Sequence, residues 1–238
     1  MRLTIDRVHR LPRIWSNREL NKYSHLFHGK VVNVSGWKDI DKEGGYYRDY
    51  FQNASSYIIT NYKSNNRGWQ GNKDEIFLNL EKELDQKLYQ YFDVVFNHTT
   101  LEHIYEVKKA FQNLCNMSKD IVIIVLPFLQ QYHSDYGDYW RFTPLAINKM
   151  FETNGFKVLY QSFNSNRMSS VYTFTIASRN PEKWKGHFDW SFTYVDSKGI
   201  GTEPYIGCHA IPNYSYKFKR LTILLIKKPL RRMLHFFD

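Results

Sequence analysis

The sequence predicts an α/β domain on a doubly wound, seven-stranded, mostly parallel sheet that closes with a terminal antiparallel hairpin. Three observations lead there. The run Ile121-Val122-Ile123-Ile124-Val125-Leu126 is apolar at every position, as in a strand covered by helices on both faces. Strand-like and helix-like segments alternate from residue 30 to about residue 151, which calls for parallel crossovers rather than hairpins. The last two strand-like runs, 157–163 and 171–178, are joined only by residues 164–170, a hairpin-like link. A dinucleotide-binding sheet would end instead on another parallel crossover.

In chain order, a polar helix is expected over residues 16–27, with Ser16-Asn17 as its cap. Lys30-Val31-Val32-Asn33-Val34-Ser35 reads as the first strand, turning at Gly36. A loop with Gly44 and Gly45 and a short helix over 46–51 precede a second strand, Ser56-Tyr57-Ile58-Ile59-Thr60-Asn61. Residues 63–73 are polar loop. A brief strand at 75–78 leads to a helix over 80–91, then the strand Phe92-Asp93-Val94-Val95-Phe96-Asn97 and a helix over 101–114. The next strand, 121–126, is expected to stop at Pro127. A helix from Pro144 through Phe151 ends at Asn154-Gly155, a fitting C-cap.

A chain of 238 residues, 42% hydrophobic, can bury one large core without staples. The expected organisation is an N-terminal helical segment (1–28), the α/β domain (29–180) and an aromatic, basic extension (181–238). Cys115 and Cys208 lie far apart with no Cys-x-x-Cys spacing, so neither a disulfide framework nor a structural zinc site follows, and a reducing compartment fits best. No apolar run has the length of a signal peptide or of a span of about 18 to 20 residues. The expectation is a soluble, cytoplasmic protein. A net charge of +10 with 17% aromatics suits nucleic acid, an anionic membrane or phosphorylated substrates, and charge does not choose among them.

Two segments bear a family resemblance. Phe92-Asp93-Val94-Val95-Phe96-Asn97-His98-Thr99-Thr100-Leu101-Glu102-His103-Ile104 pairs a Phe-Asp strand opening with Leu-Glu-His on the element that follows, and Asp138-Tyr139-Trp140-Arg141-Phe142-Thr143-Pro144 precedes the next helix. Over residues 29–178 the chain resembles class I S-adenosylmethionine-dependent methyltransferases, with a Rossmann-like sheet, especially those encoded with bacterial surface-polysaccharide enzymes. The resemblance implies S-adenosylmethionine as cofactor, methyl transfer to an oxygen of a sugar or glycan acceptor, and a cofactor site built from Asn33, Ser35, Gly36, Asn61, Asn79, Leu80, Asn97 and Thr99. Ligands of open α/β sheets bind beyond the carboxyl ends of the strands where strand order reverses, which gathers these positions around one crevice. Gly36 lets a ligand approach the backbone, or is an ordinary strand-to-loop glycine. The sequence departs from the family where acids are usual: Asn33 on the first strand, Asn61 at the end of the second, and Asn79. An amide replaces a charge-assisted acceptor at each, at a cost of about 1 kcal/mol or more per contact. Asp39, Asp41, Glu43 and Glu75 are near enough in sequence to compensate. Asn33 and Asn61 serve equally well as plain strand ends. A non-catalytic relative that binds a glycan, nucleotide-sugar or protein is therefore the alternative.

For proton removal from an acceptor hydroxyl, His98 and His133 are the leading bases. His133 reads equally as an exposed loop histidine, and His103 more as a structural one. Tyr139 offers an aromatic surface, and Arg141 either a cation for the acceptor or an ion pair with Asp138. Trp140 and Phe142 are expected to pack. No metal-ligand spacing emerges, because Glu102-His103 lacks the two-turn histidine pairing of a zinc-protease helix, so metal-independent transfer is expected. The absence of a P-loop pattern argues against nucleotide hydrolysis. The basic tail, with Lys217, Lys219, Arg220, Lys227, Lys228, Arg231 and Arg232, suits docking on the anionic inner face of a membrane, or completes the fold or an oligomer interface. Nucleic acid is the weaker option, since no reading motif accompanies the charge.

Overall fold

The computed structural model describes residues 6–63, 68–133, 137–164 and 169–188. Helix α1 (Arg10–Tyr23) is followed by strands β1 (Gly29–Val34), β2 (Ala54–Asn61), β3 (Glu75–Phe77) and β4 (Phe92–His98), helix α2 (Val107–Met117), strand β5 (Ser118–Leu129), helix α3 (Pro144–Thr153), and strands β6 (Lys157–Phe163) and β7 (Val171–Ser178). The seven strands lie in the order β3-β2-β1-β4-β5-β7-β6. β1 to β5 pair in parallel, while β7 runs antiparallel to both β5 and β6. Strand order reverses between β1 and β4, so the open crevice of the sheet lies at their carboxyl ends.

The period-two geometry of a strand explains the continuous apolar runs. On one face Val31, Val94, Phe96, Ile121, Ile123 and Val125 pack with Leu20 of α1. On the other, Val32, Val95, Val122, Ile124 and Leu126 pack with Phe111 of α2 and Phe151 of α3. Both faces of β1, β4 and β5 are therefore covered.

Several local expectations are corrected. α1 begins six residues earlier than expected, and Ser16 sits inside it, its hydroxyl donating to the carbonyl of Arg13 at 2.9 Å instead of capping the helix. No helix forms over 80–91. Leu80, Leu84 and Leu88 are buried at a helical spacing, but Asn113 of α2 donates to the carbonyls of Leu80 and Lys82, and Asp85 caps only a short 3-10 turn at Gln86–Leu88. The carbonyls an α-helix would use are thus satisfied from outside the segment. The helix expected at 101–114 splits into a 3-10 turn, Leu101–His103, and α2. The expected helix at 46–51 is a 3-10 turn, Tyr47–Tyr50.

Pro127 does not stop β5. It pairs with Tyr172 of β7, beyond the last pairing of β5 with β4 at His98 and Val125, where its missing N–H interrupts no ladder with β4. Among the described residues no helix is long and apolar enough to cross a membrane. The basic tail at 217–232 lies outside the described residues.

Candidate functional site

At the β1–β2 side of the crevice, the loop of residues 35–50 folds back onto the strand ends. Ser35, Trp37, Asp39 and Lys42 have φ of 59°, 49°, 63° and 72°, so four non-glycine residues occupy the left-handed region. Each is costly for a residue with a Cβ and persists only where surrounding contacts impose it. Those contacts are explicit. The Asn33 amide donates to Asp39 Oδ1 at 2.9 Å, and the Tyr57 hydroxyl donates to the same oxygen at 2.6 Å. Asp39 Oδ2 accepts from the Arg48 backbone and Nε, each at 3.1 Å. Asp41 Oδ1 accepts from the backbone of Glu43, Gly44 and Gly45, and Asp41 Oδ2 from the Tyr50 hydroxyl. Burial pushes the Tyr57 phenol well up, reinforced by the Asp39 charge, and keeps it a donor.

Asn61 is engaged on both sides of its amide. Its Oδ1 accepts from the Trp37 N–H at 2.8 Å, while Nδ2 donates to the Trp37 carbonyl at 3.0 Å and to Glu75 Oε1 at 2.6 Å. Gly36 serves packing: a Cβ there would meet Asn33 Nδ2 at 2.6 Å and Ile59 Cγ2 at 2.9 Å, so its open side faces protein. Asn79 Oδ1 accepts locally from the Glu81 N–H, and the Leu80 side chain is in the core. Of the four acids expected to compensate, Asp39, Asp41 and Glu75 are buried anchors of loop backbone and side chains, and Glu43 is exposed and accepts from the Asn17 amide at 2.9 Å.

The donor set can be tested against S-adenosylmethionine. Its ribose asks for an acceptor at the end of β2, and Asn61 there has both amide hydrogens and its oxygen committed to Trp37 and Glu75. The nearest carboxylate, Glu75, is taken by Asn61 and by the Gln70 and Asn72 backbone. The β1–β2 side as arranged does not fit the nucleoside.

The β4–β5 side is different. Asn97 is fully buried; its Nδ2 donates to the Val34 carbonyl at 2.9 Å and ties β1 to β4, while its Oδ1 has no partner. Next to it, His98 Nε2 is 2.8 Å from the Ser16 hydroxyl, whose proton goes to Arg13 O. The imidazole therefore carries its hydrogen on Nε2, and Nδ1 is the acceptor, 3.2 Å from Thr99 Oγ1. Thr99 Oγ1 in turn accepts from Arg13 Nη2 at 3.0 Å. Burial, helped by the Arg13 charge, holds the His98 pKa well below the usual imidazole range. His98 is neutral, and its one lone pair is spent on Thr99.

Beyond β5, Arg141 is a clamp. It forms an ion pair with Asp138 and donates to the carbonyls of Gln130, Gln131 and Trp140. Burial would raise the Asp138 pKa, but the Arg141 hydrogen bonds and the His133 N–H outweigh it and hold the carboxyl below its ordinary value. The clamp brings His133 to His103, with ring centroids 5.0 Å apart, and donor atoms of Glu102, His103 and His133 lie within 4.8 Å of one another. Glu102 is 1% exposed, its Oε2 has no partner, and burial pushes its pKa up to about 8. Tyr139 is exposed with its ring on Tyr105 at 5.5 Å, Trp140 is partly exposed with Nε1 donating to Ile104 O, and Phe142 is in the core.

Among the described residues, the buried side-chain atoms without a hydrogen-bond partner include Arg13 Nε on α1, Asn97 Oδ1 near the end of β4, and Glu102 Oε2 and Gln130 Oε1 just past the ends of β4 and β5. Each costs about 1–3 kcal/mol while unpaired, so a ligand that completes them is favoured. Arg13 and Gln130 carry no motif and were not legible as site residues; Glu102 stands in the Leu101-Glu102-His103 run that follows the Phe92-Asp93 strand, so a signal for it existed. A separate open depression of about 450 Å³ lies between α1 and the loop, lined by Asn17, Arg18, Asp41, Glu43 and Tyr50 among others, and shares no residue with this cluster.

No family model matches the chain, and no curated protein matches it. Solved structures do. A Bacillus halodurans C-125 protein provisionally named a methyltransferase is 10% identical, with a TM-score of 0.52 over 68% of this chain and 97% of its own. The 1,6-didemethyltoxoflavin N1-methyltransferase of Burkholderia thailandensis, solved with its substrate and S-adenosylhomocysteine, is 13% identical, with a TM-score of 0.51 over 71% and 79%. A Rhodobacter sphaeroides protein provisionally named a zinc-dependent alcohol dehydrogenase is 11% identical, with a TM-score of 0.50 over 68% and 89%. At these identities the likeness establishes the fold, a Rossmann-like methyltransferase sheet, and leaves the activity to the site.

Proposed function

We propose that this chain uses the methyltransferase fold to bind a sugar or glycan ligand at the carboxyl ends of β4 and β5, without S-adenosylmethionine. The observation that carries this reading is the set of unpartnered polar atoms there: a donor on Arg13, acceptors on Asn97 and Gln130, and the Glu102 carboxyl, which its raised pKa lets donate or accept. Such a mixed set matches hydroxyl groups, which both donate and accept. The exposed rings of Tyr105, Tyr139 and Trp140 supply the flat apolar surface on which the C–H face of a sugar ring packs. A second reading, O-methylation of the same class of acceptor by S-adenosylmethionine, is favoured by the fold and by its likeness to a structure that holds S-adenosylhomocysteine. The two readings share the acceptor class and differ in the cofactor.

Calorimetry separates them. The expected result is heat with oligosaccharides drawn from surface polysaccharides and none with millimolar S-adenosylmethionine or S-adenosylhomocysteine. Cofactor binding at micromolar concentration would transfer the conclusion to the methyltransferase reading. Silence towards every glycan would sink the glycan-binding reading.

A further inference from the structure

We infer that Glu102, His103 and His133 form a binding site for one divalent transition-metal ion at the edge of the β4–β5 mouth. The three residues come from two segments 30 positions apart, and their donor atoms lie within 4.8 Å of one another. Donors on a single tetrahedral ion with bonds near 2.0–2.1 Å sit about 3.3 Å apart, a contraction within the reach of side-chain rotation. Two imidazoles and one carboxylate form the donor set typical of zinc and ferrous ions.

The contacts behind the ligands strengthen the assignment. His103 Nδ1 meets the Gly137 carbonyl, an acceptor, so the ring hydrogen is on Nδ1 and Nε2 carries the lone pair, on the side where Glu102 Oε1 is 3.8 Å away. His133 repeats the pattern: Nδ1 faces Asp138 Oδ2 at 3.3 Å and the Gln131 carbonyl at 3.4 Å, both acceptors. A carbonyl or carboxylate behind the distal ring nitrogen is how metal-binding histidines are oriented and made more basic. Arg141 fixes Asp138 in that role and has its charge matched there. The independent sign of a missing ligand is Glu102 Oε2, buried in a residue 1% exposed and unpartnered. The His103 and His133 side chains are 15% and 20% exposed, so an ion held here keeps a side open to solvent or to a hydroxylated ligand.

This site shares Glu102 with the proposed glycan site but rests on its own geometry, not on that reading. Titration of the full chain with Co²⁺ alone, followed by its visible d–d bands and by calorimetry, is expected to show one ion per chain. His133→Ala and the isosteric Glu102→Gln are expected to weaken binding by at least about tenfold, the scale of losing ligand or supporting groups, while His25→Ala on the exposed surface leaves it unchanged. No Co²⁺ binding by the wild type, or binding unaltered in His133→Ala, would overturn the assignment. Because His133 lies on a half-exposed loop, its variant remains decisive if Glu102→Gln fails to fold. Glycan heat with no Co²⁺ binding by the wild type rejects the ion and leaves the glycan reading standing; Co²⁺ binding without glycan heat does the reverse.

Discussion

Replacing Asn61 with aspartate asks directly what the end of β2 is for. If the residue faced a ribose, a carboxylate would accept from both hydroxyls and tighten S-adenosylmethionine binding. The contacts predict loss of stability instead. Asn61→Asp removes both N–H donors, the 2.6 Å charge-assisted bond to Glu75 and the 3.0 Å bond to the Trp37 carbonyl. It also sets a second carboxylate against Glu75, which is only 9% exposed. A hydrogen bond to a charged group contributes about 1.5–3 kcal/mol and a neutral one about 0.5–1.5 kcal/mol, so the loss is about 3 kcal/mol before repulsion is added. That is a large share of the 5–15 kcal/mol typical of a folded domain, and about 1 M of urea midpoint. Urea unfolding at pH 7 followed by tryptophan fluorescence gives the number. The defect is expected to shrink in acid, where a proton shared between the two carboxyls restores one donor. A change under about 0.5 kcal/mol, the range of neutral surface substitutions, would refute the reasoning, and tighter cofactor binding would show that Asn61 faces the nucleoside.

Two further outcomes follow from the same loop. Gly36→Ala places a methyl 2.6 Å from Asn33 Nδ2 and 2.9 Å from Ile59 Cγ2, and is expected to cost about 1–3 kcal/mol in denaturant unfolding, as overpacking does; a neutral result would mean that the glycine borders open space. Burial alone would raise the Glu75 pKa, but hydrogen bonds from Asn61 and the Gln70 and Asn72 backbone outweigh it and hold the carboxyl below its ordinary 4.5. A depressed folded-state pKa contributes stability that is present above the unfolded value and lost as pH falls through the folded one. Glu75→Gln is therefore expected to be less stable at pH 7 and to show a flatter loss from pH 5 downward; a parallel curve would contradict the assignment.

The closing strands, 157–163 and 171–178, match their expected bounds, and the expected strands β1, β2 and β4 are present with ends shifted by at most two residues. Burial on one or both faces leaves a period of two or an unbroken apolar run in the chain itself, so these elements were legible. The segment at 80–91 was not, because leucines at a spacing of four fit a helix and an irregular chain against α2 equally well, and the Asn113 contacts that decide between them come from another element.

The site divides along the same line. Asn97, His98 and Thr99 were legible as crevice residues because they terminate an apolar strand, and a strand end in an open α/β sheet marks the ligand side. Their condition was not. That Asn97 keeps an unpartnered oxygen while Asn61 spends its whole amide on Trp37 and Glu75 is decided by the loop and β3 placed against the strand ends. Arg13 reaches Thr99 across 86 positions, and His133 meets Glu102 and His103 where its N–H is held by Asp138, itself paired with Arg141. The sequence by itself determined the sheet and the edge at which a ligand sits, because hydrophobic burial repeats with the local period of the backbone. Only the tertiary structure decided which polar groups there are spent and which wait for a partner, because hydrogen bonds between distant segments leave no period to read.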